Sequence, residues 1–394
     1  MKRKSGTDAT KIARPCSTVT TKILESFPTN ACELPEITAC LPVYNGEKFL
    51  ARTIESLLAQ DYPNVRILIS DNASNDATED ICRNYAGKYD RIEYTRNTTN
   101  IGPGPNADKL VRMCTSPFLL WASDHDIWHP NFISRLIPEI LANDEILLVY
   151  ARTVIIDVTD TVIEHAPDIL DTRGLNRVDR FAKIMREYTW GNMNFGIFRT
   201  NALRRTSERS YNVVGPDHVI MVRLSLEGSI AQIDEPLFYR RRKRPEEDAD
   251  KSRVRQINWY VSSEFERVVA MTMMAYEHVN VIRESDLTAA EKEFLYNEVR
   301  ECFPARFAGS MQNEAFTLIT KGQAALSDLT YSPCSLSVTA HELLRLTAIC
   351  RYFYPTHPDL IRFQERLQTL CVPMLQIAPN RIKGQTHKLP GCES

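Results

Sequence analysis

From Ile37 onward, short apolar runs alternate with stretches whose apolar positions recur at helical spacing. Residues 37–41 read as a strand stopped by Pro42. Leu50, Ile54, Leu57 and Leu58 then fall on one face of a helix. Residues 65–70 read as a second strand. Asp76-Ala77-Thr78-Glu79 resembles a helix start, with Glu79 three residues after a capping acid. A short strand over 91–94, a Gly- and Pro-punctuated loop over 100–106 and a helix over 106–113 follow. Residues 118–121 form the next strand, and Pro130 opens a helix with Ile133, Ile137 and Ile140 inward. Strands and helices alternating in this order predict an α/β fold with a mostly parallel, doubly wound sheet and right-handed crossovers.

The alternation loosens after residue 157. Residues 147–157 are a further strand, 166–176 a loop or lid, 178–188 a helix, 196–199 a short strand and 201–206 a helix. In 217–227, Val219, Ile220, Val222, Leu224 and Leu226 leave little polar face, which predicts a well-buried helix. Strands over 230–233 and 237–240 close the region. Arg240-Arg241-Arg242-Lys243-Arg244 then meets Pro245-Glu246-Glu247-Asp248, which marks a boundary. Beyond Val254 the apolar sets suit helices: Phe265, Val268, Val269 and Met273; Leu295 and Val299; Leu343, Leu346, Ile349 and Cys350. The expected organisation is a flexible arm over 1–34, an α/β domain over 35–245, an α-helical region over 254–378 and a polar tail over 379–394.

Composition narrows the classes of function. The chain has 394 residues, of which 43% are hydrophobic and 25% charged, enough to bury a substantial core. A net charge of -2 gives no electrostatic case for nucleic acid or an anionic membrane. The ten cysteines show no Cys-x-x-Cys and no paired spacing with histidine, which argues against structural zinc and fits a reducing compartment. No apolar run reaches transmembrane length, and the start of the chain has no hydrophobic signal core. The expectation is a cytoplasmic protein, with peripheral membrane contact as the alternative.

Candidate chemistry gathers in the loops after the strands, because parallel sheets place ligands at the carboxyl ends of their strands. Leu119-Leu120-Trp121-Ala122-Ser123-Asp124-His125-Asp126 delivers two acids one residue apart at a strand end. Such acids repel unless a cation joins them, and Mg²⁺ favours one or two carboxylates plus substrate phosphates. Tyr44 offers a ring face to a nucleobase, and Asp71 a hydrogen-bond acceptor. Taken alone, Tyr44 reads first as a packed core ring and Asp71 as a turn-forming acid.

Pro42-Val43-Tyr44-Asn45-Gly46, Ser70-Asp71-Asn72-Ala73-Ser74-Asn75-Asp76, Asn100-Ile101-Gly102 with Asn106, and Ser123-Asp124-His125-Asp126-Ile127-Trp128-His129-Pro130 occur in that order. Together they resemble the family 2 glycosyltransferases of GT-A fold, over roughly residues 37–244. The resemblance implies a nucleotide-sugar donor, most often uridine diphosphate-linked, and a divalent metal, Mg²⁺ or Mn²⁺. It implies base and ribose contacts at Pro42, Tyr44, Glu47, Asp71, Asn100 and Gly102, with Arg96 near a base carbonyl. Asp124 and Asp126 would hold ribose, sugar and metal, with Asp126 as the principal metal acid. The family's catalytic base heads a helix after the acceptor segment, a place that Asp217 fills here. Pro216 stands where a second acid is common, and Asp217 also reads as a plain helix cap. Trp190-Gly191-Asn192-Met193-Asn194 matches the acceptor-side segment, which makes Trp190 and Asn194 candidate acceptor contacts. Arg241 and Arg242 are candidate contacts to the pyrophosphate. His125, His129 and His218 lie near these acids and read as surface or packing histidines.

The function expected from this pattern is metal-dependent, inverting transfer of a sugar to a hydroxyl of a glycan, lipid-linked or protein acceptor. Inversion is implied by the resemblance alone. One alternative is a catalytically degenerate nucleotide-sugar-binding or scaffold protein, kept open by the missing acid beside Asp217. A sugar nucleotidyltransferase ranks lower, because Val43-Tyr44-Asn45-Gly46-Glu47 is not a Gly-rich basic phosphate loop.

Overall fold

The structure, a computed structural model, describes residues 34–189, 191–207, 214–242, 254, 257–261, 263–327 and 333–375. Trp190, the arm up to residue 33, the basic run beyond Arg242 and the polar tail lie outside the described residues. Contacts divide the chain into two compact units. One comprises residues 1–261 and 277–302, the other 262–276 and 303–394. Residues 277–302, expected within the helical region, thus fall in the first unit.

The first unit is built on a nine-stranded sheet. Its strands are β1 (Ile37–Val43), β2 (Val65–Asp71), β3 (Ile92–Arg96), β4 (Phe118–Trp121), β5 (Ile127–Trp128), β6 (Ile146–Ile156), β7 (Val162–His165), β8 (Ile197–Arg199) and β9 (Ser229–Arg241). Their order is β3-β2-β1-β4-β8-β6-β9-β5, with β7 on β6. The helices are α1 (Leu50–Leu58), α2 (Thr78–Lys88), α3 (Pro103–Met113), α4 (Phe132–Ala142), α5 (Arg177–Glu187), α6 (Thr200–Ser207) and α7 (Pro216–Glu227). The crossover helices bury the faces that their sequence period predicts: Leu50, Ile54 and Leu57 of α1, and Ile133, Ile137 and Ile140 of α4. Each such aliphatic side chain contributes about 1.5–3 kcal/mol of hydrophobic stabilisation.

The doubly wound expectation holds for β3-β2-β1-β4, where every pairing is parallel. It fails beyond β4, because β8 runs antiparallel to both β4 and β6. β6 and β9 are parallel to each other, while β5 and β7 are antiparallel additions. The sheet is therefore mixed. The apolar runs do not encode strand direction; the lengths and packing of the connections do.

Two boundaries differ from the sequence pattern. β1 continues through Pro42 to Val43, because β4 pairs only as far as Cys40↔Trp121 and beyond that point β2 alone flanks the strand. A residue without an N–H is tolerated where one flank has no partner. The two strands expected over 230–233 and 237–240 are one strand, β9, which stays paired with β6 through register shifts near Arg152 and Pro236.

The loop over 166–176 is tied down. Tyr150 Oη donates to the Leu170 carbonyl at 2.8 Å, and Thr172 exchanges bonds with Ile230. The remaining helices are α8 (Glu264–Val268), α9 (Ala270–Glu284), α10 (Ala289–Ser327), α11 (Pro333–Phe353) and α12 (Pro358–Leu375). Val269, Leu318, Leu343, Leu346, Cys350, Leu360 and Phe363 form a core within the second unit. Among the described residues no helix is long and apolar enough to cross a membrane.

Candidate active site

Strands β1, β2 and β4 end side by side, so the segments that follow Val43, Asp71 and Trp121 share one edge of the sheet. The first two interlock. Asn45 N donates to Ser74 Oγ at 2.9 Å, Gly46 N to Thr78 Oγ1 at 2.8 Å, and Asn75 N to Asn45 Oδ1 at 3.0 Å. Asn45 and Ala73 both take left-handed backbone, at φ 52° and 61°, which other contacts must hold in place. Tyr44 is 46% exposed, so it is a presented ring and not a core ring.

Asp71 is fully buried, and donors surround its carboxylate. Ser74 N (2.9 Å) and Ser74 Oγ (2.6 Å) bond Oδ1, while Tyr94 Oη (3.0 Å) and Arg96 Nη1 (3.4 Å) bond Oδ2. Burial, then the bonded Asp71 carboxylate, pushes the Tyr94 phenol well above its usual range. The Arg96 guanidinium spans Asp71, Glu79 and the Ser74 carbonyl, which fixes it as a brace beneath the loop. Asp71 is therefore satisfied at both oxygens by the protein itself.

Asn72 makes the connections that residue type alone did not reveal. Its amide bonds Asn100 Oδ1, the Gly102 carbonyl, Asn97 Nδ2 and Ile101 N. Asn97 Nδ2 also donates to Asn106 Oδ1, and Asn106 bonds both Ser70 Oγ and the Ser70 carbonyl. This chain of amides lashes the Asn100–Gly102 loop to the end of β2. Glu47 caps the loop before α2 by accepting from Ala77 N at 3.0 Å.

The paired acids differ in their surroundings. Asp126 is 1% exposed; Ser123 Oγ bonds one of its oxygens, and Arg241 N donates to the other at 2.7 Å. The Asp124 side chain lies nearer the surface, at 12% exposed, with His125 Nδ1 2.5 Å from its Oδ1. His125 Nε2 lies 3.9 Å from Asp126 Oδ1, so this imidazole spans both acids. Gly46 closes the approach from β1: a Cβ there would sit 3.0 Å from Asp124 Oδ2 and 2.8 Å from Val43 Cγ2. Among the described residues no group of three or more His, Cys, Asp or Glu is arranged to hold a metal ion. Asp124 and Asp126 are the carboxylates that could hold a divalent ion, and the Asp124 side chain is the more exposed of the two. The expectation that Asp126 is the principal metal acid meets a carboxylate already engaged at both oxygens.

Arg241 has a structural environment. It is 3% exposed, donates from Nε to the His125 carbonyl and from Nη1 to the Asp157 carbonyl, pairs with Asp160, and lies 4.5 Å over the Phe49 ring. Arg242 pairs with Glu164 at the surface. The Arg241 guanidinium is thus enclosed and engaged, while that of Arg242 lies at the surface.

Asp217 stands in the first turn of α7 and is half-buried. Its Oδ2 accepts from Tyr188 Oη at 2.8 Å and from Asn194 Nδ2 at 3.0 Å. The chain reaches this point through Gly191, in left-handed backbone at φ 68°, and a 3-10 turn over Asn192–Phe195. Beneath it, His218 Nδ1 meets His278 Nε2 at 2.6 Å, both rings buried and both in the first unit. His218 is thus a packing residue, as expected.

Strand β9 links the two sides. Arg241 donates its backbone N–H to Asp126, while its neighbour Arg240 donates from Nη1 to Asn192 Oδ1 at 2.8 Å and lies over Phe195. Phe238, on the same strand, stacks on Phe195 at 5.0 Å and packs on Trp128 at 5.2 Å. The paired-acid loop and the Asn192–Phe195 turn are braced from one strand.

The fold and this edge define a GT-A α/β domain. In solved structures its likeness extends to Staphylococcus aureus TarS 1-349 in complex with UDP-GlcNAc, with a TM-score of 0.53 and 17% identity over 86% of this chain and 92% of that one. Residues 38–209, somewhat under half of the chain, match the model described as Glycosyl transferase family 2. The putative glycosyltransferase EpsE of Bacillus subtilis is 30% identical over 102 residues, 26% of this chain and 37% of that protein. A Campylobacter jejuni protein, GalNAc(5)-diNAcBac-PP-undecaprenol beta-1,3-glucosyltransferase, is 30% identical over 95 residues, 24% of this chain and 30% of its own length. The matches thus span about a third of each of these relatives.

Proposed function

We propose that the protein transfers a sugar from a nucleotide diphosphate-sugar donor, uridine diphosphate-linked, to an acceptor hydroxyl with inversion. The observation that carries this reading is the bracing of both sides of the site from β9, through Arg241 to Asp126 and Arg240 to Asn192. It supports one reaction centre with a nucleotide side and an acceptor side. The family match supports the reaction class, and the TarS complex with UDP-GlcNAc supports the donor class.

On the nucleotide side, Tyr44 offers its exposed face to the base. The loop of Asn100 and Gly102, held by Asn72, borders the ribose. Pro42, Glu47 and Asp71 build this pocket and fix its shape. Asp124 is the carboxylate turned to the diphosphate and a divalent ion, Mg²⁺ or Mn²⁺, with Asp126 anchoring the loop that presents it. A bound ion would supply positive charge for the diphosphate leaving group. On the acceptor side, Asp217 takes the proton of the incoming hydroxyl. That oxygen bonds the anomeric carbon as the bond from this carbon to the diphosphate breaks, and the electron pair leaves with the nucleotide.

The test is a thermal-shift screen of nucleotides and sugar nucleotides with and without Mn²⁺, followed by turnover assays. Uridine diphosphate with Mn²⁺ raises the melting temperature of the wild-type chain, and Asp124→Asn loses the metal-dependent part of the shift. A chain that responds to no nucleotide overturns the reading. The scaffold alternative predicts the same shift with no turnover of any sugar nucleotide.

A further inference from the structure

A helix-capping role for Asp217 does not account for its partners. The two donors on Oδ2, Tyr188 Oη and Asn194 Nδ2, come from the segment around Gly191 and not from α7. Asn194 Nδ2 also lies 2.8 Å from Tyr188 Oη and 3.0 Å from the Gly191 carbonyl, so the donors are themselves tied together. Oδ1 accepts no hydrogen bond from any described residue. Among the described residues, the carboxylate is therefore gripped on one oxygen only.

The grip is built tightly. A Cβ at Gly191 would sit 3.0 Å from Tyr188 Oη, 3.2 Å from Asp217 Oδ2 and 3.3 Å from Asn194 Nδ2. Glycine is needed there twice, for that approach and for its left-handed φ of 68°. The Tyr188 ring is buried, edge-on to His218 at 4.6 Å. Burial, then the charge of Asp217, pushes the Tyr188 phenol well above its usual range. It therefore keeps its proton and acts as a donor at any working pH.

We propose that Tyr188, seconded by Asn194, is a positioning residue for Asp217, holding Oδ2 so that Oδ1 faces the acceptor hydroxyl. The inference rests on Asp217 being the base, and it adds a residue that motif matching passed over. A carboxylate pinned at one oxygen keeps a fixed angle to the reacting hydroxyl, and small losses of alignment cost large factors in rate. Tyr188 touches neither donor nor leaving group in this role, so its effect falls on kcat.

The experiment uses the full chain and the sugar nucleotide that the wild-type protein turns over. Tyr188→Phe removes one oxygen and leaves the ring packed on His218. It lowers kcat about 10-fold, with donor KM within about twofold and the melting temperature nearly unchanged. Asn194→Ala gives a smaller fall of the same kind and serves as the second variant should Tyr188→Phe not fold. In an Asp217→Asn background, Tyr188→Phe has no further effect, because the group it positions is gone. A wild-type kcat in both single variants overturns the inference. So does a fall in kcat with a matching loss of melting temperature, or one that persists in the Asp217→Asn background. If Asp217→Asn itself keeps the wild-type rate, or if no sugar nucleotide is turned over, the base assignment falls and this inference with it.

Discussion

Asp71 and Asp217, which the proposed function assigns to the nucleotide and acceptor sides of one site, are held in opposite ways. Asp71 is fully buried, with donors on both oxygens from three residues. Asp217 is half-buried, with two donors on Oδ2 and none from a described residue on Oδ1. A carboxylate satisfied on both oxygens serves architecture: it exchanges nothing with a ligand without losing bonds at home. A carboxylate held on one side keeps capacity for a proton. Asp126 follows the first pattern, since Arg241 N and Ser123 Oγ take its two oxygens. Residue type marked all three as candidate chemistry; the count of internal partners separates them.

Substitution can break this division, and the largest effect belongs to Asp217. Asp217→Asn keeps the bond from Tyr188 Oη but removes the proton acceptor, so kcat falls by about 10²–10⁴-fold while the melting temperature stays near that of wild type. A stable, fully active Asp217→Asn enzyme would erase the distinction. Asp71→Ala should do the reverse. It strands Tyr94 Oη, Ser74 and part of Arg96 in a buried place and costs about 3 kcal/mol of stability, measured by urea unfolding. Weakened nucleotide binding with undiminished stability would move Asp71 to the ligand-facing class.

The smallest effect is a pH dependence on the nucleotide side. Burial pushes Asp76 up, but bonds from Thr78 Oγ1, Thr78 N and Glu47 N outweigh it and hold the carboxyl below the usual carboxylate range. A carboxyl whose pKa is depressed on folding contributes stability above its unfolded pKa and loses it as pH falls through the folded value. Asp76→Asn should therefore lower the melting temperature slightly at neutral pH and flatten its decline below about pH 4. An unchanged acid arm would show that the β1 and β2 loops do not depend on this charge.

Much of the fold was legible because periodicity is local. The faces of α1 and α4, the four parallel strands and the helical character of the later chain follow from apolar spacing. β8 was legible as a short strand over 196–199 but its antiparallel direction was not, and the two-residue β5 and the hairpin strand β7 were not visible. Short strands carry almost no periodic signal, and direction is decided by what they pack against. Tyr188 was passed over for the same kind of reason: it lies 29 positions from the carboxylate it holds, inside a helix-terminal stretch with no motif. Asn72 was quoted within a motif, yet nothing in the sequence distinguishes its four bonds from those of an ordinary turn residue.

The sequence by itself determined that strands end in acid-bearing loops, that those loops come in a recognisable order, and that Asp217 stands at the start of a helix. These are local patterns of residue type, written in consecutive positions. Tertiary structure alone decided which carboxylates are sealed and which is held for exchange. That choice depends on donors that converge from β3, the loops after β2 and β4, β9 and the segment around Gly191, and no spacing along the chain records where their hydrogen bonds are spent.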